Sequence, residues 1–288
     1  MVQILIHRTM KYRTVACVVM AFCLASTAFA QADAKDLDIP YVPTPQKVVD
    51  AMLAMGEVGP KDFLIDLGSG DGRMVITAAK QLGARGFGVE IDPRLVALAN
   101  RAAVAEGVGN RVQFMEQDLF KTPLHEASVI TMYLLPDVNI ELRPRLLALN
   151  PGTRIVSHDY HLGEWQADAH EMLDVPDKPV GPLRKSDIYL WIVSAQVAGN
   201  WEAPMNGKLR GVRLELTQQY QAVQAKLTLE GVPLRVTRTT LRGRMLEVIA
   251  ENAREEPFRL VLQAEGKVLT GVGRLSAGKP IRTVFNRH

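Results

Sequence analysis

The chain has 288 residues, 47% of them hydrophobic, with 34 basic and 31 acidic side chains. That length and apolar content are ample for one or two domains with their own cores. The near balance of charge removes any global signature of nucleic-acid binding, so no nucleic-acid partner is expected.

The first thirty residues read as a unit of their own. Arg8, Lys11 and Arg13 precede an apolar run from Val15 to Ala30, which ends Ala28-Phe29-Ala30 before Gln31. A basic start, a short apolar run and a small-x-small end describe a secretory signal peptide. The run is too short and weak for a membrane span, so residues 1–30 are expected to be removed and the mature chain to be exported, to the periplasm, with no stable span. A start at Met10 would make the signal more compact. Removing the segment leaves 31 basic and 31 acidic residues. Both cysteines, Cys17 and Cys23, leave with it, so neither disulfides nor cysteine metal sites are available to the mature chain. Neither has a leucine three residues before it, which argues against a lipoprotein signal.

A short polar linker leads to Tyr41-Val-Pro-Thr-Pro-Gln46. Thr44 and Pro45 suit an N-cap and first turn, and Val48, Val49, Met52, Leu53 and Met55 give the following helix an apolar face. Tyr41 and Thr44 have two readings of about equal weight, an entry loop with a helix cap or a lid over a bound ligand.

The stretch around which the chain is organised is Phe63-Leu-Ile-Asp-Leu-Gly-Ser-Gly-Asp-Gly-Arg73. Phe63 to Leu67 is the continuous apolar run of a buried strand. Gly68, Gly70 and Gly72 then break it, and Met74, Val75, Ala78 and Leu82 recur at helical spacing. The expectation is a strand, a glycine turn and a helix beginning near Asp71, whose unpaired N–H groups face whatever sits in the turn. Ala84 to Ile91 reads as a second strand ending at Glu90, and Asp92-Pro93 caps a second helix. Val112 to Phe120 is a third strand ending at Asp118. Ala127 to Leu135 is a fourth, bringing Tyr133 to Pro136 to the carboxyl edge, where ligands bind in open α/β sheets. A helix over Leu142–Leu149 precedes a fifth strand at Arg154–Ser157, which leads to His158-Asp-Tyr-His161. Residues 168–173 and 187–194 would close the sheet as an antiparallel hairpin.

Texture changes at Gly199-Asn-Trp201. Short alternating runs follow at 209–216, 222–229, 234–239, 245–250, 258–264 and 268–272, punctuated by Glu230-Gly231 and Glu265-Gly266. These predict a small antiparallel β domain with no catalytic constellation, whose plain role is packing or presenting a substrate. The expected architecture is therefore α/β, a doubly wound, mostly parallel, Rossmann-like sheet over 31–198, followed by a small all-β domain over 199–288.

The glycine turn also carries ligand information. A dinucleotide turn wants Gly-x-Gly-x-x-Gly, but here the sixth position is Arg73 and the third glycine arrives one residue early. Asp66 and Asp71 disfavour a pyrophosphate and suit a ligand with a cationic amine and a sulfonium, which is S-adenosylmethionine (SAM). Glu90, about twenty residues past the glycines, is placed to accept both ribose hydroxyls, and Asp118 to accept from the adenine amine. A tight turn without a ligand, a solvated strand-end Glu90 and a loop-start Asp118 are the plainer readings, and the carboxylates weigh against them.

Asp-Leu-Gly-Ser-Gly-Asp-Gly at 66–72 closely resembles the first motif of the class I SAM-dependent methyltransferases. Taken with Tyr-Val-Pro-Thr-Pro at 41–45, Gly-Val-Glu at 88–90, Tyr-Leu-Leu-Pro at 133–136 and Gly-Thr-Arg-Ile-Val-Ser-His at 152–158, the set resembles the mitochondrial protein-lysine methyltransferase family and its bacterial relatives. Mitochondrial members modify ATP synthase subunit c and the adenine nucleotide translocase. The resemblance covers roughly residues 40 to 195. It implies methyl transfer from SAM to an amine, a protein lysine first and a small amine second. The cofactor-binding set it implies is Tyr41, Thr44, Asp66, Gly68, Ser69, Gly70, Asp71, Glu90, Ile91, Asp118 and Leu119. The candidates for preparing the acceptor are Tyr133, Asp159 and His158. A loop role for the histidines is slightly favoured, and no third ligand accompanies His158 and His161 for a metal. The rival readings are an exported, non-catalytic SAM-fold module that binds a ligand or partner through its β domain, and a NAD-dependent oxidoreductase.

Overall fold

The computed structural model describes residues 41–181, 183–204, 209–275 and 278–288. The predicted signal peptide lies outside the described residues. Tyr41 opens them and is exposed, and Val42–His288 form one compact unit.

In that unit four helices alternate with strands: α1 (Gln46–Met55), β1 (Phe63–Leu67), α2 (Arg73–Leu82), β2 (Arg85–Glu90), α3 (Pro93–Ala105), β3 (Val112–Glu116), β4 (Val129–Met132), α4 (Pro136–Leu147) and β5 (Arg154–His158). A hairpin follows, β6 (Ala169–Asp174) and β7 (Lys185–Ile192). The seven strands form one sheet in the order β3-β2-β1-β4-β5-β7-β6. Strands β1 to β5 run parallel, while β7 pairs antiparallel with β5 and with β6. The strand order reverses between β1 and β4, and in open α/β sheets the crevice beyond the carboxyl ends at such a point is where ligands sit.

The period-2 alternation of β1 sends Leu64 to one face and Ile65 and Leu67 to the other. Leu64 joins a core of Val48, Val49 and Met52 from α1, Met74 and Val75 from α2 and Ala99 from α3. Ile65 and Leu67 join Leu142 and Leu146 of α4 with Trp165 and Trp191. Both faces are covered, which is why β1 and β4 read as unbroken apolar runs.

Several predicted boundaries move. Thr44 does not cap α1: the cap position is Pro45, with no side-chain bond, and Thr44 Oγ1 lies 3.5 Å from His158 Nδ1 instead. Helix α4 starts at Pro136, six residues before the predicted start, because a proline fits the first turn of a helix, where no N–H partner is needed. Strand β3 ends at Glu116, so Asp118 stands in the loop beyond it.

The remaining strands are β8 (Gly199–Glu202), β9 (Val212–Gln219), β10 (Ala222–Leu229), β11 (Val232–Arg242), β12 (Met245–Glu251), β13 (Pro257–Glu265), β14 (Val268–Leu275) and β15 (Ile281–Arg287). They form a closed antiparallel barrel in the order β10-β11-β12-β13-β14-β15-β8-β9. Strands β8 and β15, which the sequence reading missed, close it, with Asn286 opposite Glu202 and Arg287 opposite Trp201. Closure removes the free edges that an open sheet would expose. The barrel also meets the sheet. Ala195 N donates to Gly243 O (2.8 Å), and Tyr220 stacks on Trp165 with ring centres 6.2 Å apart.

Candidate active site at the carboxyl edge of the sheet

The glycine turn joins β1 to α2 by backbone geometry that only glycine takes without strain. Gly68, Gly70 and Gly72 all have positive φ, at 75°, 53° and 83°. A Cβ on Gly72 would lie 2.6 Å from Phe114 Cζ, and one on Gly68 would lie 2.9 Å from Leu134 Cδ2. The turn is thus pressed between the β3 strand and the segment that leaves β4. Gly68 N and Ser69 N both donate to Val89 O, which ties the turn to the end of β2.

Glu90 holds the same turn from its side chain. Its Oε2 accepts from Gly70 N (3.0 Å), and Oε1 accepts from Ile91 N (2.8 Å) and Asp92 N (3.1 Å). Three backbone donors fix the carboxylate in one pose, and Oε2 keeps a lone pair for a further donor. Ile91 beside it is 69% exposed, an apolar side chain at the crevice mouth suited to the flat face of a base.

Asp66 lies one pleat before the turn, almost fully buried, and its Oδ1 accepts from Thr131 Oγ1 of β4 (2.7 Å). Burial raises its pKa to about 7, against the lowering effect of the Thr131 bond, with Glu90 and Asp71 adding smaller upward pushes. A cation arriving at this edge would favour the ionised form. Asp71 has a different use from the one its sequence position suggested. Arg73 clasps it through Nε (2.9 Å) and Nη2 (2.6 Å), while Arg73 Nη1 donates to Thr44 O (2.8 Å). The pair neutralises Asp71 and links the chain entering α1 to the glycine turn, so the uncompensated charge near the ligand is that of Asp66 and Glu90.

Asp118 turns back on its own loop, with Oδ1 accepting from Phe120 N (2.8 Å). Leu119 is partly buried against the Trp165 core. The hydroxyl of Ser69 is buried without a hydrogen-bond partner. It lies under the turn, where a Cβ on Gly88 would be 2.5 Å from it. The three-glycine cradle, the braced Glu90 and the exposed Ile91 fit a nucleoside with a cationic tail. Asp118 is held by its own loop, and the Ser69 hydroxyl is enclosed under the turn.

A second polar cluster is built from the ends of β4, β5 and β7. Tyr133 donates its hydroxyl to Asp159 Oδ2 (3.1 Å), and its ring packs on His158 with centres 3.9 Å apart. Burial and then the Asp159 charge raise the Tyr133 pKa, so the phenol stays protonated and acts as a donor. Asp159 has φ 63°, an uncommon conformation for a residue with a side chain. Its carboxylate also accepts from Asp187 N (3.2 Å) and from Lys178 Nζ at both oxygens (2.8 and 2.7 Å).

His158 faces the protein interior. It is fully buried, with Nε2 2.9 Å from Ser186 Oγ and Nδ1 near Thr44. Burial lowers its pKa to about 4, so the ring is neutral and supports Tyr133 from beneath. His161 accepts from Gly163 N and stands apart. Among the described residues no group of three His, Cys, Asp or Glu side chains could hold a metal.

Sequence reasoning missed Thr131, Lys178 and Ser186. Thr131 is a polar residue in an otherwise apolar strand, a pattern that could have marked it. Lys178 sits in Val175-Pro-Asp-Lys-Pro179, where nothing local distinguishes it from a solvated loop lysine.

Comparison with known proteins agrees with this geometry. Residues 66–169 match the family described as the ANTKMT methyltransferase domain. A protein-lysine N-methyltransferase of Saccharolobus islandicus is 39% identical over 157 residues, which cover 54% of this chain and 94% of that protein. The mouse adenine nucleotide translocase lysine N-methyltransferase is 37% identical over 132 residues, 45% of this chain and 57% of that relative. An RNA methyltransferase of Salinibacter ruber, solved with S-adenosyl-L-homocysteine, is 46% identical and superposes with a TM-score of 0.49 over 54% of this chain and 96% of that one.

Proposed function

Because the chain belongs to the family of protein-lysine N-methyltransferases, we infer that it transfers the methyl group of SAM to the side-chain amine of a lysine in another protein. One observation carries this reading. The glycine turn braced by Glu90 is pressed by Gly68 against Leu134, and the residue before Leu134 is Tyr133, whose hydroxyl binds the Asp159 carboxylate. A cofactor cradle and an amine-binding pair thus meet at one sheet edge.

SAM supplies an electrophilic methyl on a sulfonium. The chain's own residues do the rest. The glycine turn and Glu90 orient the nucleoside, with Ile91 against its base. Ionised Asp66 favours the cationic end. Asp159 receives the acceptor's ammonium and takes up its proton, so that the neutral amine meets the methyl in line. Tyr133 donates to Asp159 and walls the site, and His158 and Ser186 hold Tyr133 and the β5 end in place. The test is to incubate the purified protein with methyl-labelled SAM and a lysine-rich acceptor protein. Nε-methyllysine is the expected product, and label on any other side chain would overturn the assignment.

The export reading belongs to the same proposal. Arg8, Lys11 and Arg13 before an apolar run ending Ala28-Phe29-Ala30 support removal of residues 1–30 and a periplasmic mature chain. N-terminal sequencing of the secreted form should begin at Gln31. The two-domain division, 31–198 for catalysis and 199–288 for packing or presenting the acceptor, is supported by the separate buried clusters of the sheet and the barrel. No helix among the described residues is long and apolar enough to cross a membrane.

A further inference from the structure

Lys178 is the buried cation that the mechanism above leaves unused. It lies between β6 and β7, and its side chain is 9% exposed. Lysines are almost never this buried without a partner. Its Nζ contacts both Asp159 oxygens, and also donates to Lys185 O (2.6 Å). The ammonium therefore has three oxygens around it, two of them on the carboxylate that Tyr133 also binds.

These are the groups an incoming lysine would use. The seat stands at the ends of β5 and β7, one strand from the glycine turn. It presents two anionic oxygens and a carbonyl, with the Tyr133 and His158 rings alongside. That is the chemistry of a primary alkylammonium site.

We propose that this seat is the acceptor-lysine site and that Lys178 is its internal occupant in the free protein, which the acceptor must displace. The inference rests on the methyltransferase reading above. Displacement moves a segment whose first residue, Val175, is fully buried in the core. The Val175–Gly181 segment is held by Lys178 itself, by Val175 N donating to Arg184 O (2.7 Å), and by Arg184 donating to Lys178 O. Val180 and Leu183 nearby are exposed, at 42% and 77%, so they contribute little packing. A competing internal group weakens the apparent affinity for its rival by the fraction of molecules in which the seat is free. A seat filled in nine of ten molecules would weaken acceptor binding about tenfold.

The experiment measures hexalysine binding to the protein saturated with S-adenosylhomocysteine, by calorimetry, for wild type, Lys178→Met and Lys178→Arg. Lys178→Met should bind hexalysine about tenfold more tightly, and Lys178→Arg, which keeps a cation at Asp159, should bind no more tightly than wild type. Unchanged or weaker binding by a folded Lys178→Met protein would overturn the proposal and leave Lys178 a structural ion pair. If that variant does not fold, hydrogen exchange of wild type decides. Saturating hexalysine should speed exchange at Val175 N and Lys178 N at least severalfold, and unchanged exchange would overturn the proposal. Labelled methyl transfer to hexalysine, run on wild type in parallel, tests the activity separately. Its absence would sink the methyltransferase reading while the binding measurements still decide the seat.

Discussion

The sheet and the barrel bury different kinds of side chain. Every buried polar or charged residue among those described, from Asp66 to Ser186, lies in the α/β part, including Thr131, Asn139, Ser157, His158 and Lys178. The barrel interior is Trp201, Leu214, Leu246, Val248, Phe258, Leu260, Leu262 and Phe285, with no polar side chain among its buried members. The groups whose pKa shifts by burial, Asp66, Tyr133, His158, Asp168 and Tyr189, are likewise all in the sheet region. Burying a polar group costs free energy unless it is fully paired. A region that retains many such groups can use them for chemistry, and Asp66, Tyr133 and His158 stand toward the carboxyl edge, whereas an apolar interior serves stability.

Formal charge divides the same way. From 199 to 288 there are 15 basic and 8 acidic residues, while 31–198 carry 16 basic and 23 acidic. Several barrel cations are spent on cross-strand pairs such as Lys226 with Glu215 (2.8 Å). Exposed pairs of this kind are each worth less than about 1 kcal/mol.

If this contrast is right, substitutions in the two regions should separate activity from stability. The largest effect is expected at Asp159. Asp159→Asn should lower kcat about 1,000-fold, the scale of a lost general base, with SAM affinity nearly unchanged, as steady-state kinetics and calorimetry will show. Leu260→Ala in the barrel should cost about 3 kcal/mol in chemical denaturation by leaving a cavity, and should leave the SAM dissociation constant as in wild type. A loss of SAM affinity there would break the comparison. Glu90→Ala removes a charged acceptor and the brace on Gly70, and should weaken SAM binding about 30-fold, or about 2 kcal/mol, with little change in Tm.

The smallest effect is in pH dependence. Asp66 has a folded pKa raised from 3.8 to about 7, so the folded state binds the proton more tightly than the unfolded state. Its contribution to the stability of the free protein therefore declines as pH rises from about 4 to about 7. SAM affinity should move the other way, weakening about fivefold from pH 7 to pH 6 as Asp66 takes up its proton. Asp66→Asn should abolish both trends. A SAM affinity independent of pH in wild type would show that Asp66 does not sense the ligand.

Much of the sheet region was legible because its signals are local. The Phe63–Leu67 run, three glycines and a helical repeat specify strand, turn and helix within twenty residues, and Glu90 and Tyr133 follow from where the next strands end. The barrel was harder. Six of its strands alternate visibly, but Gly199–Glu202 is only four residues long, and it closes the barrel by pairing with β15, more than eighty residues away. His158 was misleading for a related reason. Its position at the end of β5 is readable, but its burial depends on Thr44, Tyr133 and Ser186, each from a different segment.

The amino-acid order by itself determined the βα alternation, the glycine turn, the acid at the end of β2 and the change to β structure after residue 198. These follow from backbone conformational preference and hydrophobic period, which act over a few residues. Tertiary structure alone decided that Arg73 reaches the Thr44 carbonyl, that burial raises the Asp66 pKa to about 7, that the barrel closes through β8 and β15, and that Lys178 reaches Asp159 from nineteen positions away. Each of these depends on desolvation or on pairing between segments far apart in the chain, and neither exists until the chain has packed.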